Sequence, residues 1–189
     1  GGDGKDISIL ANYWRTYLPD TIFICPDAPE KCAVSSSGYQ WFDLMEQTQD
    51  QILSKSLVAE MKLNQLIDEV KENNNLSSDK IVLGGFSQGC MISLQTGIKR
   101  KDKIKCIIGY SGRIIDLSHL QQNIISKPEI FLLHGDKDQV VPISSLLESK
   151  DFFKKNNYII KTHILKDCEH RIPVEGSSLG LEFIKKNLY

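Results

Sequence analysis

Lys80-Ile81-Val82-Leu83-Gly84-Gly85-Phe86-Ser87-Gln88-Gly89-Cys90-Met91-Ile92-Ser93-Leu94-Gln95 changes character in its middle, and that change decides the fold. Lys80 to Gly84 is a short, β-branched apolar run that reads as a buried strand, and Cys90 to Gln95 reads as the opening of a helix. Between them stands Gly85-Phe86-Ser87-Gln88-Gly89, a Gly-x-Ser-x-Gly with the context of a nucleophile elbow. Ser87 is expected at the apex of a sharp, strained turn. Gly85 and Gly89 are expected to let strand and helix approach closely, because neither carries a Cβ. The helix N-terminus would then face the oxygen that turns negative during acyl transfer. By composition alone the pattern recurs in roughly one chain in twenty of this length, so its flanks carry the reading.

Outward from the elbow, strand and helix patterns alternate. Upstream, a helical stripe covers Asp6 to Leu18 and a short strand Thr21 to Cys25, closed by Pro26. Asp27 to Ser37 reads as loop, and Gly38 to Asp43 as an aromatic cluster without regular structure. A long amphipathic helix from Gln51 to Lys71 carries Leu53, Leu57, Met61 and Val70 near one stripe. Downstream, strands are expected at Ile104–Tyr110, Ile130–Leu133 and Tyr158–Leu165, with helices at Ser144–Asn156 and Glu175–Leu188. This alternation predicts an α/β domain over residues 1–189: a mostly parallel central sheet with helices on both faces, its function at the strands' carboxyl ends.

Composition narrows the function classes. A formal net charge of -1 leaves no basic excess to neutralise nucleic-acid phosphates. The runs Lys99-Arg100-Lys101 and Lys154-Lys155 read as solvated helix ends. Cys25, Cys32, Cys90, Cys106 and Cys168 form neither a disulfide framework nor a zinc site, which points to a reducing, cytoplasmic setting. No apolar run is long enough to span a bilayer. No metal-ligand spacing stands out, and no cofactor is called for.

A serine hydroxyl needs a base, and the base needs an orienting acid. In the chain order Ser, acid, His, both follow Ser87. Of the four histidines, His163 lies mid-strand, His119 lies in an irregular segment upstream of every candidate acid of the triad, and His134 precedes the acidic pair. His170, between the last strand and last helix, fits as base. Asp136 and Asp138 both sit after the preceding strand, with Asp136 also reading as a turn residue and Asp167 as a third candidate. Spacing favours Asp138 only slightly.

The elbow, followed by His134-Gly135-Asp136-Lys137-Asp138-Gln139-Val140-Val141-Pro142, resembles the phospholipase/carboxylesterase family of α/β-hydrolases. That group includes carboxylesterases, lysophospholipases and acyl-protein thioesterases. Cys25-Pro26-Asp27-Ala28-Pro29, Trp41-Phe42-Asp43 and Glu169-His170-Arg171-Ile172-Pro173-Val174-Glu175 extend the resemblance over nearly the whole chain. It implies Ser87 as nucleophile, Asp138 as acid and His170 as base, with the backbone amide of Gln88 as an oxyanion donor. Trp41 and Phe42, with Tyr39 nearby, read either as walls of an apolar acyl site or as core or surface anchors; the resemblance favours the former. The resemblance also makes a weak homodimer plausible.

Two departures stand out. Asp167, Cys168 and Glu169 occupy places where the family carries glycine, and an acidic pair beside His170 would favour its protonated form. The family also opens with one or two strands and a His-Gly-x-Gly loop that donates the second oxyanion amide. Gly1-Gly2-Asp3-Gly4-Lys5-Asp6 matches only that loop's tail, so the chain is expected to be part of a longer protein. The expected function is cofactor-free hydrolysis of an ester, thioester or lysophospholipid with a short to medium acyl chain. The alternatives are a non-catalytic binding protein, a peptidase or a dienelactone-type hydrolase on the same fold.

Overall fold

Four parallel strands, β3 (Val82–Phe86), β4 (Cys106–Tyr110), β5 (Glu129–Gly135) and β6 (Ile160–Leu165), pair in sequence order. The structure is a computed structural model and describes residues 2–35, 37–45 and 47–189. Before the sheet come α1 (Gly4–Trp14), β1 (Glu30–Lys31), β2 (Tyr39–Gln40) and α2 (Gln49–Asn74). Between and after its strands come α3 (Gln88–Lys99), α4 (Leu117–Gln122), α5 (Ser144–Lys155) and α6 (Val174–Leu188). The chain divides into two compact units, Gly1–Ala59 and Glu60–Tyr189.

In the first unit, α1 starts at a capping box: Asp6 N–H donates to Asp3 Oδ1 at 2.8 Å and Asp3 N–H to Asp6 Oδ2 at 3.1 Å. The helix stops at Trp14 rather than Leu18, because Tyr17 and Leu18 both donate to the Trp14 carbonyl and tighten the chain into a turn. Thr21 to Cys25 alternates half-buried Thr21, Phe23 and Cys25 with exposed Ile22 and Ile24, yet belongs to neither sheet. Period-two alternation reports extended backbone, whereas a strand also needs a hydrogen-bonded neighbour. Conversely, the stretch expected as loop and unstructured aromatics carries a small antiparallel pair, with Glu30 opposite Gln40.

The buried face of α2 is Ile52, Ser56, Ala59, Glu60, Leu63 and Ile67, one position away from the expected stripe, and Met61 is exposed. Ser56 and Glu60 break the apolar pattern on that face. Ser56 Oγ is satisfied by the Leu53 carbonyl, and Glu60 accepts from Gln95 at 2.9 Å and from Lys99 at 2.7 Å. Lys99 and Arg100 are therefore not solvated helix-end charges: Lys99 pairs with Glu60, and Arg100 with Asp68 and Asn64. Lys101, Lys154 and Lys155 are exposed as expected.

In the second unit, every residue of β4 is buried, as is α3 from Cys90 to Ile98. Alternation along β4 assigns the helices to faces. A Cβ on Gly97 of α3 would meet Ile107, and one on Gly109 would overlap Cys90, so α3 covers the Ile107/Gly109 face. A Cβ on Gly180 of α6 would overlap Tyr110 and Ile108, so α6 covers the other face. Burial on both faces explains the unbroken apolar runs of these strands. Among the described residues, no helix is long and apolar enough to cross a membrane.

Candidate active site

β3 ends in the elbow. Ser87 has φ 53° and ψ −118°, a left-handed backbone that a side-chain-bearing residue adopts only under strain. The β3–β4 ladder reaches into the turn, with Ser87 N–H donating to the Tyr110 carbonyl at 2.8 Å. The Ser87 carbonyl then accepts from Met91 at 3.1 Å and starts α3. Serine at this helix position normally spends its hydroxyl on a first-turn amide, but Ser87 makes no side-chain cap. Gln88 is the first residue of α3, where backbone N–H groups point out of the helix end.

Only one of the two elbow glycines is sterically required. A Cβ on Gly85 would overlap the Gly89 carbonyl and the Cys90 nitrogen, whereas one on Gly89 meets nothing within 4 Å. Cys90, directly behind the elbow, is 1% exposed, and its sulfur fills the space left by Gly109 and Gly112. Burial pushes its thiol pKa up to about 12, despite a hydrogen bond with the Gly112 backbone.

Asp138 follows β5 and His170 follows β6. His170 Nδ1 lies 2.8 Å from Asp138 Oδ2, and a carboxylate can only accept, so Nδ1 carries the proton. Asp138 Oδ1 accepts from the amides of Val140 and Val141, both at 2.9 Å. Burial alone would raise the Asp138 pKa; the hydrogen bonds from His170, Val141 and Val140, with the His170 charge, outweigh it and hold the carboxyl below its ordinary value. The His170 ring rests against the ring of Phe86, the residue before Ser87, with centroids 4.6 Å apart.

The loops bearing Asp138 and His170 are stitched together. Asp136 N–H donates to Leu165 and Lys137 N–H to Cys168, each at 3.0 Å, while Cys168 N–H donates to Asp136 Oδ1 at 3.2 Å. A Cβ on Gly135 would overlap the Cys168 carbonyl, so the close approach of these loops needs glycine there. Asp136 thus holds an amide of the neighbouring loop, and Asp167 pairs with Lys137 at 2.6 Å. Asp167 and Glu169 are both exposed.

The remaining histidines have other partners. His163 meets Glu175 at 3.0 Å, His119 meets Lys99 at 3.2 Å, and buried His134 meets the Val141 carbonyl at 2.8 Å. Trp41 is half-buried and Phe42 fully buried, both within the first unit. Phe86 escaped the sequence reading as a partner of His170; its signal was an aromatic residue inside the elbow motif. Among the described residues, no cluster of His, Cys, Asp and Glu is arranged to hold a metal.

Comparison with known proteins gives a consistent picture. A family model described as Phospholipase/Carboxylesterase matches residues 1–188. The chain is 32% identical to acyl-protein thioesterase 1 of Saccharomyces cerevisiae, over all of this chain and 89% of that protein. It is 33% identical to acyl-protein thioesterase 1 of Yarrowia lipolytica, over 88% of this chain and 78% of that one. Among solved structures, esterase PE8 superposes with a TM-score of 0.94 at 32% identity, covering 100% of this chain and 88% of the esterase.

Proposed function

The chain belongs to the phospholipase/carboxylesterase family, and on that premise we propose that it hydrolyses esters or thioesters of short to medium acyl chains through Ser87, Asp138 and His170. Its parallel sheet with flanking helices is an α/β-hydrolase fold, and the protein is a hydrolase of ester or thioester bonds. The observation that carries the mechanism is His170, bonded through Nδ1 to buried Asp138 and resting, with its ring tilted, against Phe86, the neighbour of Ser87.

With the proton on Nδ1, the Nε2 lone pair of His170 takes the Ser87 hydroxyl proton as Oγ attacks the substrate carbonyl. Asp138 stabilises the resulting imidazolium. The Gln88 amide, at the positive end of α3, donates to the tetrahedral oxyanion. Collapse expels the alcohol or thiol, which takes its proton from His170. Water, deprotonated by His170, then attacks the acyl-enzyme, releasing the acid and restoring Ser87. The thioesterase names of the yeast relatives support thioesters as substrates, and the esterase neighbour supports oxygen esters.

A fluorophosphonate probe tests this directly, together with turnover of p-nitrophenyl acetate, p-nitrophenyl butyrate and matched thioesters. The wild-type protein is expected to be labelled on Ser87 and to turn over at least one series. Ser87→Ala is expected to lose labelling and about 10⁴- to 10⁶-fold in kcat. A wild-type protein that is neither labelled nor active would overturn the proposal, as would equal labelling of Ser87→Ala.

A further inference from the structure

We propose that His134 is a positioning residue that holds the Asp138 turn in register with His170, an inference that rests on the triad reading above. His134 lies one residue before the end of β5 and is 1% exposed. Its Nε2 is 2.8 Å from the Val141 carbonyl. A carbonyl only accepts, so Nε2 carries a proton. With its proton aimed at Val141, Nε2 offers no lone pair to a substrate or to Ser87, which sets His134 apart from the base.

Val141 is consequently held at both ends. Its N–H donates to Asp138 Oδ1 at 2.9 Å, and its carbonyl accepts from His134. Asp138 Oδ2, which accepts from His170, lies 3.5 Å from His134 Nε2. The acid is thus enclosed by a turn whose last peptide is pinned to the strand by a buried imidazole. Core filling alone does not account for histidine here, since an aliphatic side chain would fill the space without a polar group to satisfy. Without the His134 donor, the Val141 carbonyl loses its partner and the turn relaxes. The oxygen facing His170 shifts with it. That cost falls mainly in the transition state, where His170 becomes charged, and displacements near 1 Å can cost about 10²-fold in rate.

The test compares His134→Gln, which keeps an amide donor at similar reach, with His134→Leu, which has none. Kinetics on p-nitrophenyl butyrate and the low-field proton NMR resonance of His170 Nδ1–H are measured for each. His134→Leu is expected to lose about 10- to 100-fold in kcat with KM within about twofold, and to move or lose the resonance. His134→Gln is expected to stay within about fivefold of wild type and to keep the resonance. If His134→Leu lacks native circular dichroism, His134→Met supplies a donorless side chain matched in length to Gln. A folded donorless variant with wild-type kcat and an unmoved resonance would overturn the proposal, as would equal losses in the Gln and donorless variants. The resonance reads the Asp138–His170 bond without turnover, so an inactive wild-type protein counts against the hydrolase reading and leaves the positioning test intact.

Discussion

Asp138 is a carboxylate with no exposed side-chain surface that nevertheless titrates below its ordinary value. Burial opposes its charge, and the donors from His170, Val141 and Val140 outweigh that opposition. A pKa lowered on folding stabilises the native state above the unfolded-state value, and the contribution is lost as pH falls through the folded value. The window here lies below about pH 4, starting from the ordinary carboxyl range. Urea midpoints between pH 5 and pH 2.5 are therefore expected to fall more steeply for wild type than for Asp138→Asn; parallel curves would contradict this. Asp138→Asn is also expected to lose about 10⁴-fold in kcat, because an amide does not hold the Nδ1–H tautomer. At this scale the sequence was only partly legible. Spacing carried Asp136 and Asp138 as near equals, because spacing along a loop does not record which way a side chain turns; the resemblance to the family picked out Asp138. Asp136 turns to the Cys168 amide and Asp138 to His170.

At the scale of elements, the strand-to-loop joints are where steric demands are sharpest. Gly135 closes β5 at the point where the His170 loop crosses it, and a methyl there would overlap the Cys168 carbonyl. Gly135→Ala is expected to cost about 2–4 kcal/mol and to reduce kcat by displacing the stitched loops. Gly84→Ala is the control: its Cβ would meet only Ile108, at 3.4 Å, and is expected to cost under about 1 kcal/mol. Equal denaturant midpoints for the two variants would refute the distinction. Most strands and helices were legible from periodicity, because β-branched runs and amphipathic stripes persist over several turns. The failures have physical causes. Thr21–Cys25 has the alternation of a strand without a sheet partner among the described residues, and α2 hides Ser56 and Glu60 on its buried face. Glycine spacing in the elbow likewise did not reveal that only Gly85 is crowded.

At the scale of the molecule, the fold class was legible because alternating strands and helices admit few arrangements other than a parallel sheet between helical layers. What the sequence withheld was the partnering of its charges. Lys99 and Arg100 read as surface residues, yet both are tied to acids on α2. The five cysteines, which served above only to suggest a compartment, divide by depth. Cys25 and Cys32 are half-buried, while Cys90, Cys106 and Cys168 are enclosed, and burial pushes the Cys90 and Cys106 thiols up to about 12. Burial disfavours the thiolate of both, so attack by a disulfide reagent is suppressed by access and by charge state alike. Cys25 and Cys32 are expected to react first in native buffer. Cys90 is expected to react only when α3 lifts from β4, with a urea dependence matching that of global unfolding. Labelling of Cys90 as fast as Cys32 would show that the joint opens locally. The sulfur seated behind Ser87 is thus a built-in clock: its modification rate counts how often the elbow comes apart.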